Sequence, residues 1–144
     1  MSSLDDIELP KNYKPTLKEE YMSERQLAYF RRKLLDWRAE LMEESQETIE
    51  HLRDISNQDV GDEVDRASRE SDHTLELRTR DRYRKLQAKI DSALKRIEDG
   101  TYGYCDDTGE EIGLKRLDAR PVATLTLEAQ ERRESKEKHT ADDR

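Results

Sequence analysis

Between Met22 and Val60 the chain contains neither proline nor glycine, and its apolar residues fall at Leu27, Phe30, Leu34, Trp37 and Leu41, spaced 3, 4, 3, 4. Residues repeating at that interval line one side of an α-helix and form the seam of a coiled coil. The seam then slips by one position and continues through Met42, Ile49 and Leu52. A second periodic stretch passes through Val64, Ala67, Ser71 and Leu75, then Leu86, Ile90, Ala93 or Leu94, and Ile97. Ser23 suits the N-cap of the first helix, and Gly100 the C-cap of the second. The polar break "ISNQDVGDEVD" between them predicts an antiparallel hairpin, each arm ~32 residues and ~48 Å long. With 43% charged and only 32% hydrophobic residues, the chain is either disordered or built around a solvated helical element. The periodicity selects the helix.

Charge along the hairpin is segregated. From Glu43 to Asp65 there are nine acidic residues and one basic residue, Arg53. From Leu75 to Ile97 there are eight basic and three acidic residues, the basic set being Arg78, Arg80, Arg82, Arg84, Lys85, Lys89, Lys95 and Arg96. Such blocks steer a partner and fix its orientation, whereas isolated surface pairs contribute little. At the expected tip, Asp62 and Asp65 stand three apart. They read equally as N-cap and N3 of the second helix and as acids presented to a partner's metal ion or basic groups. The other tip acids lack the oxygen spacing of a calcium loop.

The remainder is small. "CDDTGEEIG" predicts a short β-hairpin, with Asp106 opening the turn and Gly109 taking positive φ. From about Thr126 a last helix is expected. The domain plan is an N-terminal segment, 1–22, packing near the base; a hairpin over 23–99 with its tip at about 56–62; a small globular domain with the C-terminal helix, 100–138; and a frayed tail, 139–144. The fold class is mostly α with a small α/β domain. A unit of ~40 residues needs a partner surface, a metal or a disulfide to fold. Cys105 is the only cysteine, so no internal disulfide forms. It reads first as an inert core thiol and second as a redox-sensitive one.

Several function classes are excluded or unsupported. The net charge of −8 argues against general affinity for nucleic acid or anionic membranes. No apolar run approaches the ~20 residues of a membrane span, and the acidic N-terminus lacks a signal peptide's apolar centre. A reducing cytoplasm is expected. The three histidines are scattered, and neither a nucleophile–base pair nor a Gly-rich phosphate loop occurs. An enzyme is not expected.

"EEYMSERQLAYFRRKLLDWRAEL", "GDEVDRAS", "LELRTRDRYRKLQAKI" and "YGYCDDTGEEIGLKRLDARPVATL", taken in order, resemble the DksA family of bacterial transcription factors from about Glu19 to Glu137. The resemblance implies a hairpin that projects from a small zinc-ribbon-like domain into the secondary channel of RNA polymerase. It implies no contact with promoter DNA. With ppGpp, such a protein represses ribosomal RNA promoters and activates some amino-acid biosynthesis promoters. Asp62, Asp65 and Ala67 correspond to the family's tip, and Arg78, Arg82 and Lys85 to its grip on the polymerase rim. Leu86, Lys89 and Arg120 match positions that help form a ppGpp site, where cationic groups facing a pyrophosphate make chemical sense. Gln130 replaces a family lysine there.

Most relatives carry a four-cysteine zinc site. At those positions this chain has Cys105, Thr108, Thr126 and Ala129, and one thiolate does not hold a tetrahedral zinc. The same fold without metal is therefore expected, with Thr108 and Thr126 hydroxyls bonding across the gap. A monomer is expected to bind the polymerase. Two other classes remain open from sequence: a Gre-type transcript cleavage factor, for which ~44 residues after Gly100 are too few, and a dimeric coiled-coil scaffold.

Overall fold

The structure, a computed structural model, describes residues 4–58 and 66–142. Among the described residues there are four helices: α1 (Glu24–Gln58), α2 (Arg66–Asp99), α3 (Leu114–Ala119) and α4 (Leu127–Asp142). At 1.5 Å per residue the 35 residues of α1 extend about 52 Å. Of the tip expected at about 56–62, residues 56–58 continue α1, and the rest, with Asp62 and Asp65, lies outside the described residues. The chain divides into two compact units, one formed by residues 1–34 with 92–144 and the other by 35–91.

In the 35–91 unit, α1 and α2 run antiparallel. Arg38 pairs with Asp91 at 2.8 Å, and Arg53 with Glu76 at 2.7 Å. Fifteen steps forward on α1 are thus fifteen back on α2. Leu41, Ile49, Tyr83 and Ile90 are buried between the helices. The Tyr83 hydroxyl donates to Glu44 Oε1 at 3.2 Å and accepts from Thr48 Oγ1 at 3.3 Å. Toward the far end the seam becomes polar. Ser45, Thr48, Asp72, Glu76 and Thr79 hold half-buried positions. Met42 and Leu75, both expected in the seam, are instead 51% and 50% exposed. Leu41 continues the first stripe directly into Ser45 and Ile49. On α2 the stripe ending at Tyr83 passes through Glu76, where the Arg53 guanidinium compensates a carboxylate in the space a leucine would take.

In the other unit, Ser23 Oγ accepts from the Gln26 N–H at 3.4 Å, and Gln26 Oε1 accepts from the Met22 N–H at 2.8 Å. This reciprocal cap starts α1. Gln26 is fully buried, yet its Nε2 is satisfied by Thr16 O at 3.1 Å and Glu19 Oε2 at 3.4 Å. The far end of α2 closes as anticipated. Gly100 adopts φ +79, its N–H reaches Ile97 O, and the Thr101 N–H reaches Arg96 O at 3.0 Å. These are the two bonds of a Schellman motif.

The core of this unit is Phe30 and Leu34 from α1, Ile97 from α2, Leu117 from α3, and Tyr102, Val122 and Leu125 between them. The Phe30 and Tyr102 rings lie 5.7 Å apart, and the Tyr102 hydroxyl donates to Pro121 O at 2.7 Å. Burial of Phe30 contributes about 1.5–3 kcal/mol; truncation to alanine would cost about 3–5. The short helix α3 had no sequence-based forecast: six residues after Gly113 carry too little periodicity to see. It is fastened to α1 because Lys33 Nζ donates to both Asp118 O (2.6 Å) and Asp118 Oδ1 (2.7 Å).

The expected β-hairpin reduces to one antiparallel bridge, Tyr104 with Glu111. Gly109 does take positive φ at its turn, and its N–H closes onto Cys105 O at 2.9 Å. The expected frayed tail is corrected in part. Helix α4 continues through His139 to Asp142, with Thr140 Oγ1 bonded back to Lys136 O at 2.9 Å.

Candidate partner-binding surface and degenerate metal site

Helix α2 presents its cations in stripes. Arg78, Arg82, Lys85 and Lys89 follow one another at steps of 4, 3 and 4, all exposed. Lys85 pairs with Asp81 at 2.9 Å, and this contact first of all holds the Asp81 carboxyl below its usual range. The Arg82 guanidinium stands 5.4 Å from the Tyr83 ring centroid. Among the described residues, Arg78 and Lys89 have no ion-pair partner. Leu75, half-exposed one turn ahead of Arg78, falls on the same side of the helix. The seam therefore leaves a half-exposed leucine on the cationic side of the helix. Ala67 lies exposed in the first turn of α2.

Leu86 and Lys89 belong to the 35–91 unit, half-buried and exposed respectively. Arg120 belongs to the other unit, exposed at the C-cap of α3 with its N–H on Arg116 O at 2.8 Å. Gln130 Nε2 donates to Glu134 at 2.9 Å.

The four residues expected to stand at the family's zinc positions lie in the turn and at the start of α4. Cys105, Thr126 and Ala129 are buried, whereas Thr108 is exposed. The Thr126 N–H donates to Cys105 Sγ at 3.4 Å. The Thr126 hydroxyl does not cross the gap; it accepts from the Ala129 N–H at 3.2 Å and caps α4. Burial pushes the Cys105 thiol up, but the Thr108 hydroxyl and the N–H groups of Thr126, Thr108 and Asp107 together outweigh it and bring the thiol down to about 7. Donors that would serve a zinc thiolate thus still converge on this sulfur. The other three positions do not fit a zinc ion. Ala129 offers no ligand atom, Thr126 Oγ1 is taken, and among the described residues no three His, Cys, Asp or Glu side chains gather as metal ligands.

Two contacts the sequence did not reveal tie this region together. Asp107 in the turn receives a forked pair of bonds from Arg133 of α4, one through Nε at 2.9 Å. That bond is the main reason the Asp107 carboxyl titrates below its usual range. The Tyr21 hydroxyl donates to Gly103 O at 2.6 Å and accepts from the Gly113 N–H at 3.1 Å. A Cβ on Gly103 would sit 2.9 Å from Met22 Cγ, so only glycine lets the segment before α1 approach so closely. Spacing could not disclose these pairs, which lie 26, 82 and 92 residues apart.

The family described as "DnaK suppressor protein DksA, N-terminal domain" matches residues 26–97, and "Prokaryotic dksA/traR C4-type zinc finger" matches residues 100–135. A protein of Caulobacter vibrioides named RNA polymerase-binding transcription factor DksA is 55% identical over 132 residues, covering 92% of each chain. Its namesake in Escherichia coli K12 is 48% identical over 123 residues, 85% of this chain and 81% of that one. The solved structure of transcription factor DksA2 from Pseudomonas aeruginosa superposes with a TM-score of 0.72 at 47% identity, covering 83% of this chain and 91% of that one. No described helix is long and apolar enough to cross a membrane. With both halves matched in order, the chain belongs to the DksA family.

Proposed function

We propose that this protein regulates transcription initiation in the cytoplasm by binding RNA polymerase at its secondary channel as a monomer, without catalysis and without contacting promoter DNA. The observation that carries the reading is the exposed stripe of Arg78, Arg82 and Lys85 on one side of α2, the residues that the family resemblance assigns to the polymerase rim. Exposed cations in register favour a fast, oriented encounter with an acidic surface. Asp62 and Asp65 act at the tip, with Ala67 as the small residue behind them. ppGpp joins at the interface through Leu86, Lys89 and Arg120, with one charge fewer because Gln130 stands where a lysine is common. Zinc plays no part, because a lone thiolate and two threonines do not replace four cysteines.

Transcription in vitro from a ribosomal promoter, with and without ppGpp, tests the tip. Wild-type protein inhibits and Asp65→Asn protein binds polymerase but does not; equal inhibition by both would remove the tip from the mechanism. Metal analysis tests the zinc reading. Near-stoichiometric zinc, lost together with helicity on chelation, would refute it.

A further inference from the structure

Helix α3 has only six residues, Leu114–Ala119, too few to stand on their own propensity. Its placement therefore depends on what holds it. The Gly113 N–H at its start donates to the Tyr21 hydroxyl at 3.1 Å, and Leu117 in its middle is fully buried. The heaviest fastening is at its end. Lys33 Nζ donates to Asp118 O at 2.6 Å and to Asp118 Oδ1 at 2.7 Å, and the Tyr29 hydroxyl donates to the same Oδ1 at 2.6 Å. A carbonyl in the last turn of a helix has no partner within the helix, and here an ammonium from α1 supplies one. These contacts, Lys33 first and Tyr29 second, hold the Asp118 carboxyl below its usual range, so it stays charged at neutral pH.

Two residues further on stands Arg120. Its N–H reaches Arg116 O at 2.8 Å, and its own carbonyl accepts from the Ala123 N–H at 3.0 Å. The next carbonyl, Pro121 O, accepts from the Tyr102 hydroxyl at 2.7 Å. The backbone on both sides of Arg120 is thus fixed, while its side chain is exposed. Arg116, one turn earlier, spends its Nε–H on Leu125 O at 2.8 Å. Among the described residues the Arg120 guanidinium has no such partner.

We propose that Tyr29, Lys33 and Asp118 are positioning residues for Arg120: they anchor the end of α3 so that an unpartnered guanidinium is presented on a fixed backbone to the pyrophosphate of ppGpp. The inference rests on the ppGpp reading of Arg120. An arginine on an anchored backbone has less chain to order when it meets its anion. Ordering a mobile group at a binding site costs roughly three- to tenfold in affinity. Charge alone would not require the three contacts at Asp118, since an arginine on a loose loop carries the same charge.

The test measures ppGpp binding by the full chain in complex with purified RNA polymerase, against polymerase alone, and separately the affinity for polymerase without ppGpp. Lys33→Met should weaken ppGpp binding roughly three- to tenfold with polymerase affinity unchanged, and Lys33→Arg, which keeps a donor, should restore it. Tyr29→Phe keeps the ring and removes one bond to Asp118. It should give a smaller shift in the same direction, and it decides the matter if circular dichroism shows Lys33→Met to be unfolded. In protein already carrying Arg120→Ala, adding Lys33→Met should change ppGpp binding no further; a role in stability alone would not depend on Arg120. If Arg120→Ala weakens ppGpp binding while Lys33→Met and Tyr29→Phe do not, the positioning inference is overturned and the ppGpp reading stands. An equal loss of polymerase affinity without ppGpp in Lys33→Met, or a further loss of ppGpp binding in the Arg120→Ala background, overturns it equally. If Arg120→Ala protein binds ppGpp as wild type does, the ppGpp reading fails and the positioning inference falls with it.

Discussion

Replacing Tyr21 with phenylalanine removes a single oxygen and tests how a zinc-ribbon-like turn holds its shape around one cysteine. That oxygen makes two bonds, to Gly103 O at 2.6 Å and from the Gly113 N–H at 3.1 Å. The ring stays, with its edge-to-face contact to Tyr104 at 5.6 Å, so packing is preserved. Each lost bond costs about 0.5–1.5 kcal/mol net. Tyr21 is half-buried and water recovers part of that, leaving about 1–2 kcal/mol. For a unit of this size 1 kcal/mol moves the midpoint by about 4–8 °C, so its transition should fall by about 5–15 °C. Thermal unfolding followed by near-ultraviolet circular dichroism reads the midpoint. Amide hydrogen exchange reads the site: protection should drop at Gly113 before it drops in α1. A midpoint within 1 °C of wild type with unchanged exchange at Gly113 would refute the reasoning and show that the hydroxyl is not a structural tie.

Arg133→Met should loosen α4 from the turn, seen as faster amide exchange in the first turns of α4, and the difference from wild type should shrink in 0.5 M salt because the pair is exposed. Thiolate absorbance of Cys105 should titrate near 7. A folded-state value depressed from 9.0 makes stability rise between pH 7 and 9 and lose that increment as pH falls through 7; Cys105→Ser should abolish this slope in denaturant titrations. Lys33→Met should strand the Asp118 carboxylate, whose low titration depends first on that ammonium and then on Tyr29, and its titration followed by carboxyl NMR should move up toward the ordinary range.

Local rules carried much of the fold. Ser23 and Gly100 bound the helical pair as capping chemistry requires, and Gly109 turns the chain where its lack of a side chain permits. The first seam was correct at Phe30, Leu34 and Leu41, where periodicity and burial agree. It failed at Met42 because the buried stripe runs from Leu41 straight on to Ser45 and Ile49, and at Leu75 because Glu76, paired with Arg53, takes the half-buried place. That Cys105 is the only cysteine was legible from identity alone. What holds the turn around it was not, since Tyr21 and Arg133 act through contacts that neither local pattern nor composition encodes. The cations of α2 could be counted in the sequence, but which of them share a side needed the helix register that the structure supplies.

The polar far seam has a consequence for how this hairpin accommodates change. Asp72, Glu76 and Thr79 hold half-buried positions where apolar side chains would bury more hydrocarbon between the helices. Opening this stretch exposes less apolar surface than opening the buried stretch at Leu41 and Ile90, so it costs less.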